Sequence, residues 1–239
     1  MTTASNAARD VLVLDADQPS ALAIVRALGR HGLRVEVAAS QDAPIAGWSR
    51  HAAACHRHPD PLRAPDGFLH WLRQQMERPT VGLVIPVTER TVVPISRHRE
   101  SLDVGRIAIA PSAALEQALD KQRTMALAVE LGIPVPRSVP VSRLDELPEA
   151  AATLGYPIVV KPTRSMGQDG AQGLQLSVRY AHHADELQGL VREALRYGQV
   201  MLQELFRGEG VGIEACRQTF QRVANPPRLV LPAGGERHA

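Results

Sequence analysis

Short apolar runs alternate with amphipathic segments along the first half of the chain. Four runs predict buried strands, at residues 11–14, 35–38, 81–85 and 107–110. Apolar residues at helical spacing predict a helix that is capped by Ser20 and ends at Gly32, and another at residues 68–76. Alternating strands and helices predict an α/β fold with a doubly wound, Rossmann-like parallel sheet.

The second half has a different rhythm, with longer helical segments between isolated strands. Ser112 is expected to cap one helix. The predicted helices are at residues 120–131, 144–154 and 187–195, and the predicted strands are at 138–141, 158–160, 174–178, 200–205 and 211–215. This pattern favours a second domain of the α+β class.

Two loops of the first half follow strands whose carboxyl ends should share one edge of the sheet, where ligands bind in open α/β folds. In these loops Asp17, Thr88 and Glu89 are candidate substrate contacts. The favoured alternative is structural: Thr88 caps a helix, and Asp15 and Asp17 solvate a turn. Neither a G-x-G-x-x-G run after the first strand nor a Walker A loop is present, so we do not expect nucleotide binding here.

The strand predicted at 158–160 leads directly into Lys161 and a glycine-bearing segment. A buried, unpaired ammonium group is costly, so Lys161 should have an anionic partner. Gly167, Gly170 and Gly173 would let backbone N–H groups approach that anion, and Ser165 adds a hydroxyl. A long hairpin loop needs similar residues. Because the glycine-bearing segment directly follows Lys161, phosphate binding is the favoured interpretation of both.

A second candidate region lies at the end of the strand predicted at 200–205. Gln203 and Glu204 could present polar groups to an adenine edge, and Glu209, beyond the following turn, could bind ribose hydroxyls. The alternative is an ordinary β-hairpin with a glycine turn.

Composition narrows the class of protein. With 239 residues and 44% hydrophobic content the chain can bury a sizeable core, and its net charge of +2 gives no reason to expect a nucleic-acid or membrane partner. Cys55 and Cys216 are far apart in the sequence and lack a C-x-x-C spacing, which is typical of reduced thiols. We expect a cytoplasmic protein, since neither a signal peptide nor a membrane-length apolar run is seen.

Cys55 lies in a histidine-rich run with His51, His56 and His58, which raises the alternative of a metal site. Zinc sites need about four ligands at defined spacings. Residues 51–61 contain Arg57, Pro59 and Pro61 and are expected to form a loop, so a metal site is the less favoured interpretation.

Four segments in order carry a resemblance to a known family: DKQRTMALAVELGIPVP, YPIVVKP, SMGQDGAQG and LQELFRGEGVGIEA. They resemble the ATP-grasp superfamily, in particular the carboxylate–amine ligases related to carbamoyl-phosphate synthase large subunits. The resemblance implies a preATP-grasp domain at residues 1–112, an ATP-grasp N-terminal subdomain at 113–198, and the start of a C-terminal lobe at 199–239.

The resemblance also implies chemistry. Such ligases use ATP and Mg²⁺ to activate a small-molecule carboxylate as an acyl phosphate, which an amine then attacks. Lys121 and Lys161 match phosphate-contacting lysines, residues 165–173 match the loop over the triphosphate, and residues 203–206 and Glu209 match the adenine and ribose contacts. The implied ATP-binding residues are Lys121, Lys161, Ser165, Met166, Gly167, Gly170, Gly173, Gln203, Glu204, Leu205, Phe206 and Glu209.

The match fails where the family's magnesium ligands, an acid and a Glu-x-Asn pair, should follow. After residue 215 the only acid is Glu236, and Asn225 precedes two prolines. We therefore expect a truncated ligase that, as this chain alone, binds ATP weakly and shows little turnover. Whether it forms a homo-oligomer or is completed by another chain stays open. The rival interpretation is a non-catalytic nucleotide-binding or interaction module. An NAD-dependent oxidoreductase is disfavoured by the missing glycine fingerprint.

The abrupt loss of pattern near Cys216 suggests a frameshift. We expect a neighbouring reading frame of the coding DNA to continue with a Glu-x-Asn motif, which sequencing of the gene will reveal. If neither frame contains that motif, the frameshift hypothesis is wrong, and a natural short form or a split enzyme remains.

Overall fold

The computed structural model describes residues 10–164, 166–169, 172–206 and 208. Of these, the residues from 10 to 204 form one unit, and Leu205, Phe206 and Gly208 belong to a second unit. The first unit contains two four-stranded sheets and a separate two-stranded hairpin. None of the described helices is long and apolar enough to cross a membrane.

The first sheet is parallel and has the strand order β3-β2-β1-β4. Its strands are β1 (Asp10–Val13), β2 (Val35–Ala39), β3 (Ala52–Arg57) and β4 (Val81–Ile85), and its helices are α1 (Pro19–Arg30), α2 (Pro65–Glu77) and α3 (Glu89–Arg97). Alternate residues of β1 enter different cores: Val11 and Val13 pack with residues of α1, whereas Leu12 packs with residues of α2 and α3. This layering confirms the predicted doubly wound sheet.

The fourth strand of this sheet is not the one predicted. Residues 52–57, expected to be a loop, form β3, which pairs with β2 in parallel register and alternates partly buried with exposed residues. Residues 107–110 provide only an isolated bridge from Ile107 to Val84. That segment lies between the 3-10 helix Val104–Arg106 and Pro111, whose missing N–H cannot extend a ladder.

Two predicted helix caps are also corrected. Helix α1 begins at Pro19 with Gln18 as its N-cap, because the fixed φ of proline suits the first helical position. Ser20 therefore lies inside the first turn. Similarly, Ser112 is the first residue of its helix, and Pro111 occupies the N-cap position without a side-chain bond.

The second sheet is antiparallel and has the strand order β5-β10-β6-β9. The elements of this half are α4 (Ser112–Leu119), α5 (Lys121–Glu130), β5 (Ser138–Val141), α6 (Leu147–Leu154), β6 (Ile158–Pro162), β7 (Met166–Asp169), β8 (Gln172–Gln175), β9 (Arg179–Ala181), α7 (Ala184–Ala194) and β10 (Val200–Glu204). Buried residues of α6 and α7 pack on Ile158, Val160 and Leu202, which forms the core of this half. The predicted α+β character is thus present.

The glycine-bearing segment differs from its prediction. Strands β7 and β8 pair with each other in antiparallel register, Met166 opposite Gln175, as a hairpin outside the main sheet. The strand predicted at 174–178 is confirmed only at residues 174–175, which lie in β8, and the strand that pairs with β6 is β9. Residues 172–175 satisfy their pairing within the hairpin. The strand predicted at 211–215 lies outside the described residues.

The three-part domain division stays a prediction. Strand β10, assigned to the third segment, lies between β5 and β6 of the second segment in one sheet.

A buried carboxylate anchors the first sheet. Glu36 of β2 is only 1% exposed, and it accepts hydrogen bonds from Arg78 Nη1 at 2.8 Å, Arg78 Nη2 at 3.0 Å and His56 Nε2 at 2.7 Å. The bonds from Arg78 are the main cause that lowers the pKa of Glu36 from 4.5 to about 2. These charge-assisted bonds tie β2 to β3 and to the residue after α2.

We expect Glu36→Gln to lower the free energy of unfolding by about 2 kcal/mol at pH 7, because it removes the buried anionic partner of the partly exposed Arg78 guanidinium. The folded-state pKa lies below the ordinary value, so this stabilisation is present above about pH 4.5 and is lost as the pH falls towards about 2. Urea unfolding followed by tryptophan fluorescence across this range measures the effect.

The exposed Glu77→Gln is the matched control and should unfold like the parent at every pH. Equal stability of Glu36→Gln and the parent at pH 7 would show that the cluster contributes no net stability.

Candidate nucleotide-binding site

The chain contains only two lysines, Lys121 and Lys161, and its other permanently cationic side chains are arginines. An ammonium group is a compact point charge, whereas guanidinium is a planar fork, so the two are not interchangeable at a binding site. The scarcity of lysine is a property of the sequence, and it sets both positions apart from the many arginines.

Lys161 is half-buried on β6, opposite Met201 of β10. Its Nζ donates a hydrogen bond to Gln203 Oε1 at 2.5 Å. Desolvation by burial lowers the pKa of Lys161. The structure thus places a charged group among strands of the sheet with a neutral amide oxygen beside it.

Lys121 is the first residue of α5 and is also half-buried. The Asp120 side chain caps this helix, because its Oδ1 accepts from the N–H groups of Gln122 at 3.0 Å and Arg123 at 3.2 Å. The Lys121 N–H donates to Thr163 O at 2.9 Å, two residues beyond Lys161. This backbone bond ties the start of α5 to the end of β6.

The charge of the Lys161 ammonium group acts on Lys121. Burial is the main cause that lowers the pKa of Lys121; the nearby charge of Glu89 raises it, and the charge of Lys161 lowers it. Like charges in a partly desolvated space repel strongly, and an anion between them relieves that repulsion. The site therefore fits a polyphosphate.

The base of the hairpin is held by residues that the sequence pattern did not single out. Thr163 donates to Gln199 O through both its N–H and its hydroxyl, each at 3.1 Å. Arg164 donates to the carboxylate of Glu116 on α4, which lowers the pKa of Glu116 and raises that of Arg164. The chain entering β7 is therefore fixed on two sides.

The predicted adenine contacts at the end of β10 are occupied within the protein. Besides Lys161, Gln203 contacts Ser138, whose Oγ accepts from Gln203 Nε2 at 2.8 Å. Glu204 accepts from Arg137 N at 2.8 Å and Arg137 Nε at 2.7 Å, and these bonds lower the pKa of Glu204. The Glu204 carboxylate is thus committed to Arg137.

The remaining predicted residues are distributed as follows. Met166 and Gly167 lie in β7, and Gly173 lies in β8. Leu205 and Phe206 begin the second unit, where Phe206 is 77% exposed. Ser165, Gly170 and Glu209 lie outside the described residues.

The loops of the first sheet support the structural interpretation of most of their residues. Asp15 is buried, and its Oδ2 accepts from Val87 N at 3.1 Å, Thr88 N at 2.8 Å and Thr91 Oγ1 at 2.6 Å. Thr88 caps α3, as predicted.

The other two candidate substrate contacts in these loops differ from each other. Asp17 pairs with Arg90 Nη1 at 3.4 Å. Glu89 differs because its charge raises the pKa of Lys121.

The histidine-rich run shows no metal geometry. His56 bonds to Glu36, and His58 Nδ1 bonds to Pro59 O at 2.8 Å. Across the part of the chain that the structure describes, no group of three or more histidine, cysteine, aspartate or glutamate side chains could hold a metal ion.

Comparison with known proteins finds a family whose sequence model matches the part of the chain that contains both lysines. The family described as "Carbamoyl-phosphate synthase L chain, ATP binding domain" matches residues 120–206. Residues 120–206 are therefore similar to the ATP-binding domain of carbamoyl-phosphate synthase large chains. The matched range begins at the cap of α5 and ends just after β10, so it contains both lysines.

Among curated relatives, the carbamoyl phosphate synthase large chain of Methanosphaerula palustris is 36% identical over 101 residues, which are 41% of this chain and 9% of the relative. The chain thus spans about a tenth of that relative's length. The family that matches residues 120–206 is a family of ATP-binding ligases.

Two solved structures share the fold. The L-amino acid ligase from Bacillus licheniformis has a TM-score of 0.59 at 18% identity, covering 84% of this chain and 45% of that one. The biotin carboxylase domain of the Hydrogenobacter thermophilus 2-oxoglutarate carboxylase, in complex with MgADP, ADP and bicarbonate, has a TM-score of 0.55 at 17% identity, covering 82% and 44%. At these identities the likeness concerns the fold.

The electrostatic coupling of the two lysines can be measured directly. We expect Lys161→Met to raise the pKa of Lys121, because the repelling charge is removed, and Glu89→Gln to lower it, because an attracting charge is removed. Titration of ¹³C-labelled lysine side chains by NMR reports each value. An unchanged pKa of Lys121 in both variants would show that the three groups do not share a site.

Proposed function

We propose that this chain binds ATP with its polyphosphate against Lys121 and Lys161, as part of a ligase that activates a carboxylate as an acyl phosphate for attack by an amine. The observation that carries the proposal is the convergence of the chain's only two lysines at a half-buried site. Lys161 donates to a neutral amide oxygen, which leaves its charge in place, and two desolvated cations favour a multiply charged anion as the ligand.

Other residues take the roles that the resemblance to ATP-grasp ligases implies. Residues 165–173, of which β7 and β8 are described, would cover the triphosphate, supported by the Arg164–Glu116 ion pair at their base. Residues 203–206 would contact adenine, and Glu209 would bind the ribose. Because the Glu204 side chain is held by Arg137, the backbone of this segment would supply the adenine contacts.

Bound ATP would supply the phosphoryl group that converts the carboxylate into an acyl phosphate. The lysines of this chain would neutralise phosphate charge and hold the nucleotide in place, and such charge stabilisation and positioning are the main contributions of an enzyme to phosphoryl transfer. Glu89 lies close enough to influence Lys121 and is the candidate to orient a cationic amine substrate. Mg²⁺ is expected with the nucleotide, although the described residues contain no cluster of ligands for it.

A second candidate function is a non-catalytic nucleotide-binding module. The same absence of a clustered ligand set among the described residues favours it. Phosphate release with ATP across a panel of carboxylates and amines separates the two functions, since only the ligase turns over.

We expect Lys121→Ala and Lys161→Ala each to weaken ATP binding roughly 10- to 100-fold, because each removes one charge-assisted contact with phosphate. Isothermal titration with ATP in the presence of Mg²⁺ measures the affinities. Arg192→Ala, which removes one exposed cation from α7, is the matched control and should bind ATP like the parent.

Two outcomes would contradict the proposal. One is ATP binding by Lys161→Ala that equals that of the parent. The other is micromolar binding of NAD by a parent chain that does not bind ATP.

A further inference from the structure

Gln203 is buried on β10 and is held at both ends of its amide. Its exposed fraction is 5%. The oxygen Oε1 accepts from Lys161 Nζ at 2.5 Å, and Nε2 donates to Ser138 Oγ at 2.8 Å. One short polar chain thus connects β6, β10 and β5.

The strand register explains why these groups meet. Gln203 lies opposite Val159 of β6 and Ser138 of β5. Lys161 follows Val159 by two residues, and residues two apart on a strand face the same side of a sheet. Lys161 is therefore the diagonal neighbour of Gln203, within reach of a long side chain.

The hydrogen-bond directions fix the orientation of the Gln203 amide. Ser138 Oγ donates its only proton to Pro136 O at 3.0 Å, so towards Gln203 it can act only as an acceptor. The Gln203 NH₂ group must then face Ser138. Its carbonyl oxygen is left for the ammonium group of Lys161, which can only donate.

We propose that Gln203 is a positioning residue that holds the Lys161 ammonium group for the phosphates of the nucleotide. A neutral amide suits this task, because it orients the cation without neutralising it, whereas a carboxylate would compete with phosphate for the same charge. This inference rests on the proposed ATP site, and it gives Gln203 a role other than the direct adenine contact expected from the sequence.

Comparison of ATP with adenosine distinguishes the two roles. If Gln203 acts through Lys161, Gln203→Leu should weaken ATP binding roughly tenfold and leave adenosine binding unchanged. In a Lys161→Ala background the same substitution should have no further effect on ATP. Equal losses for ATP and adenosine would assign Gln203 to the adenine and overturn the inference.

Gln203→Glu keeps the size of the side chain and serves if the leucine variant does not fold. It should also weaken ATP binding and spare adenosine. Gln188→Leu, on an exposed position of α7, is the matched control for the loss of an amide and should bind ATP like the parent.

A measurement without nucleotide tests the contact itself. In a Lys121→Arg background Lys161 is the only lysine, so ¹³C-lysine NMR reports its titration alone. Its pKa should rise in Gln203→Glu, which adds an anionic partner, and fall in Gln203→Leu, which removes an acceptor. The same pKa in all three chains would overturn the inference. If the pKa of Lys161 shifts as expected in the two variants but the parent chain does not bind ATP, the proposed function is rejected and the contact between Gln203 and Lys161 is retained.

Discussion

The partial burial of two like charges, Lys121 and Lys161, is the constraint on which the second half of the chain depends. Lys121 and Lys161 are each desolvated, and the charge of Lys161 makes Lys121 harder to protonate. The charge of Glu89 offsets part of this cost at Lys121, and the Gln203 amide orients Lys161. A bound anion would offset the repulsion between two such cations. The proposed function therefore follows from the site and not from the fold.

The scaffold fixes these groups through backbone bonds and buried apolar residues. Strand β10 lies between β5 and β6, so it carries Gln203 between Ser138 and Lys161. The bond from Lys121 N to Thr163 O joins α5 to the end of β6. Ile158, Val160 and Leu202 pack in one core with residues of α6 and α7, and this core holds the strands that carry the polar residues.

The first sheet contributes the edge that carries Glu89. The Asp15 carboxylate joins the end of β1 to the start of α3 by accepting from two backbone N–H groups and the Thr91 hydroxyl. This clasp sets the position of Glu89, the first residue of α3, whose charge reaches Lys121. Asp15 thus has a structural role, whereas Glu89 is the acidic residue of this edge that acts on Lys121.

The sequence by itself determined the alternation of strands and helices, the change of class at the middle of the chain, and the two lysines. These depend on local periodicity and residue chemistry, which a single chain displays. Only the tertiary structure decided that residues 52–57 form an edge strand, that β7 and β8 pair with each other, and that Gln203 contacts Lys161. Such features depend on which strands become neighbours, and strand pairing joins residues that are distant in sequence and leave no local pattern.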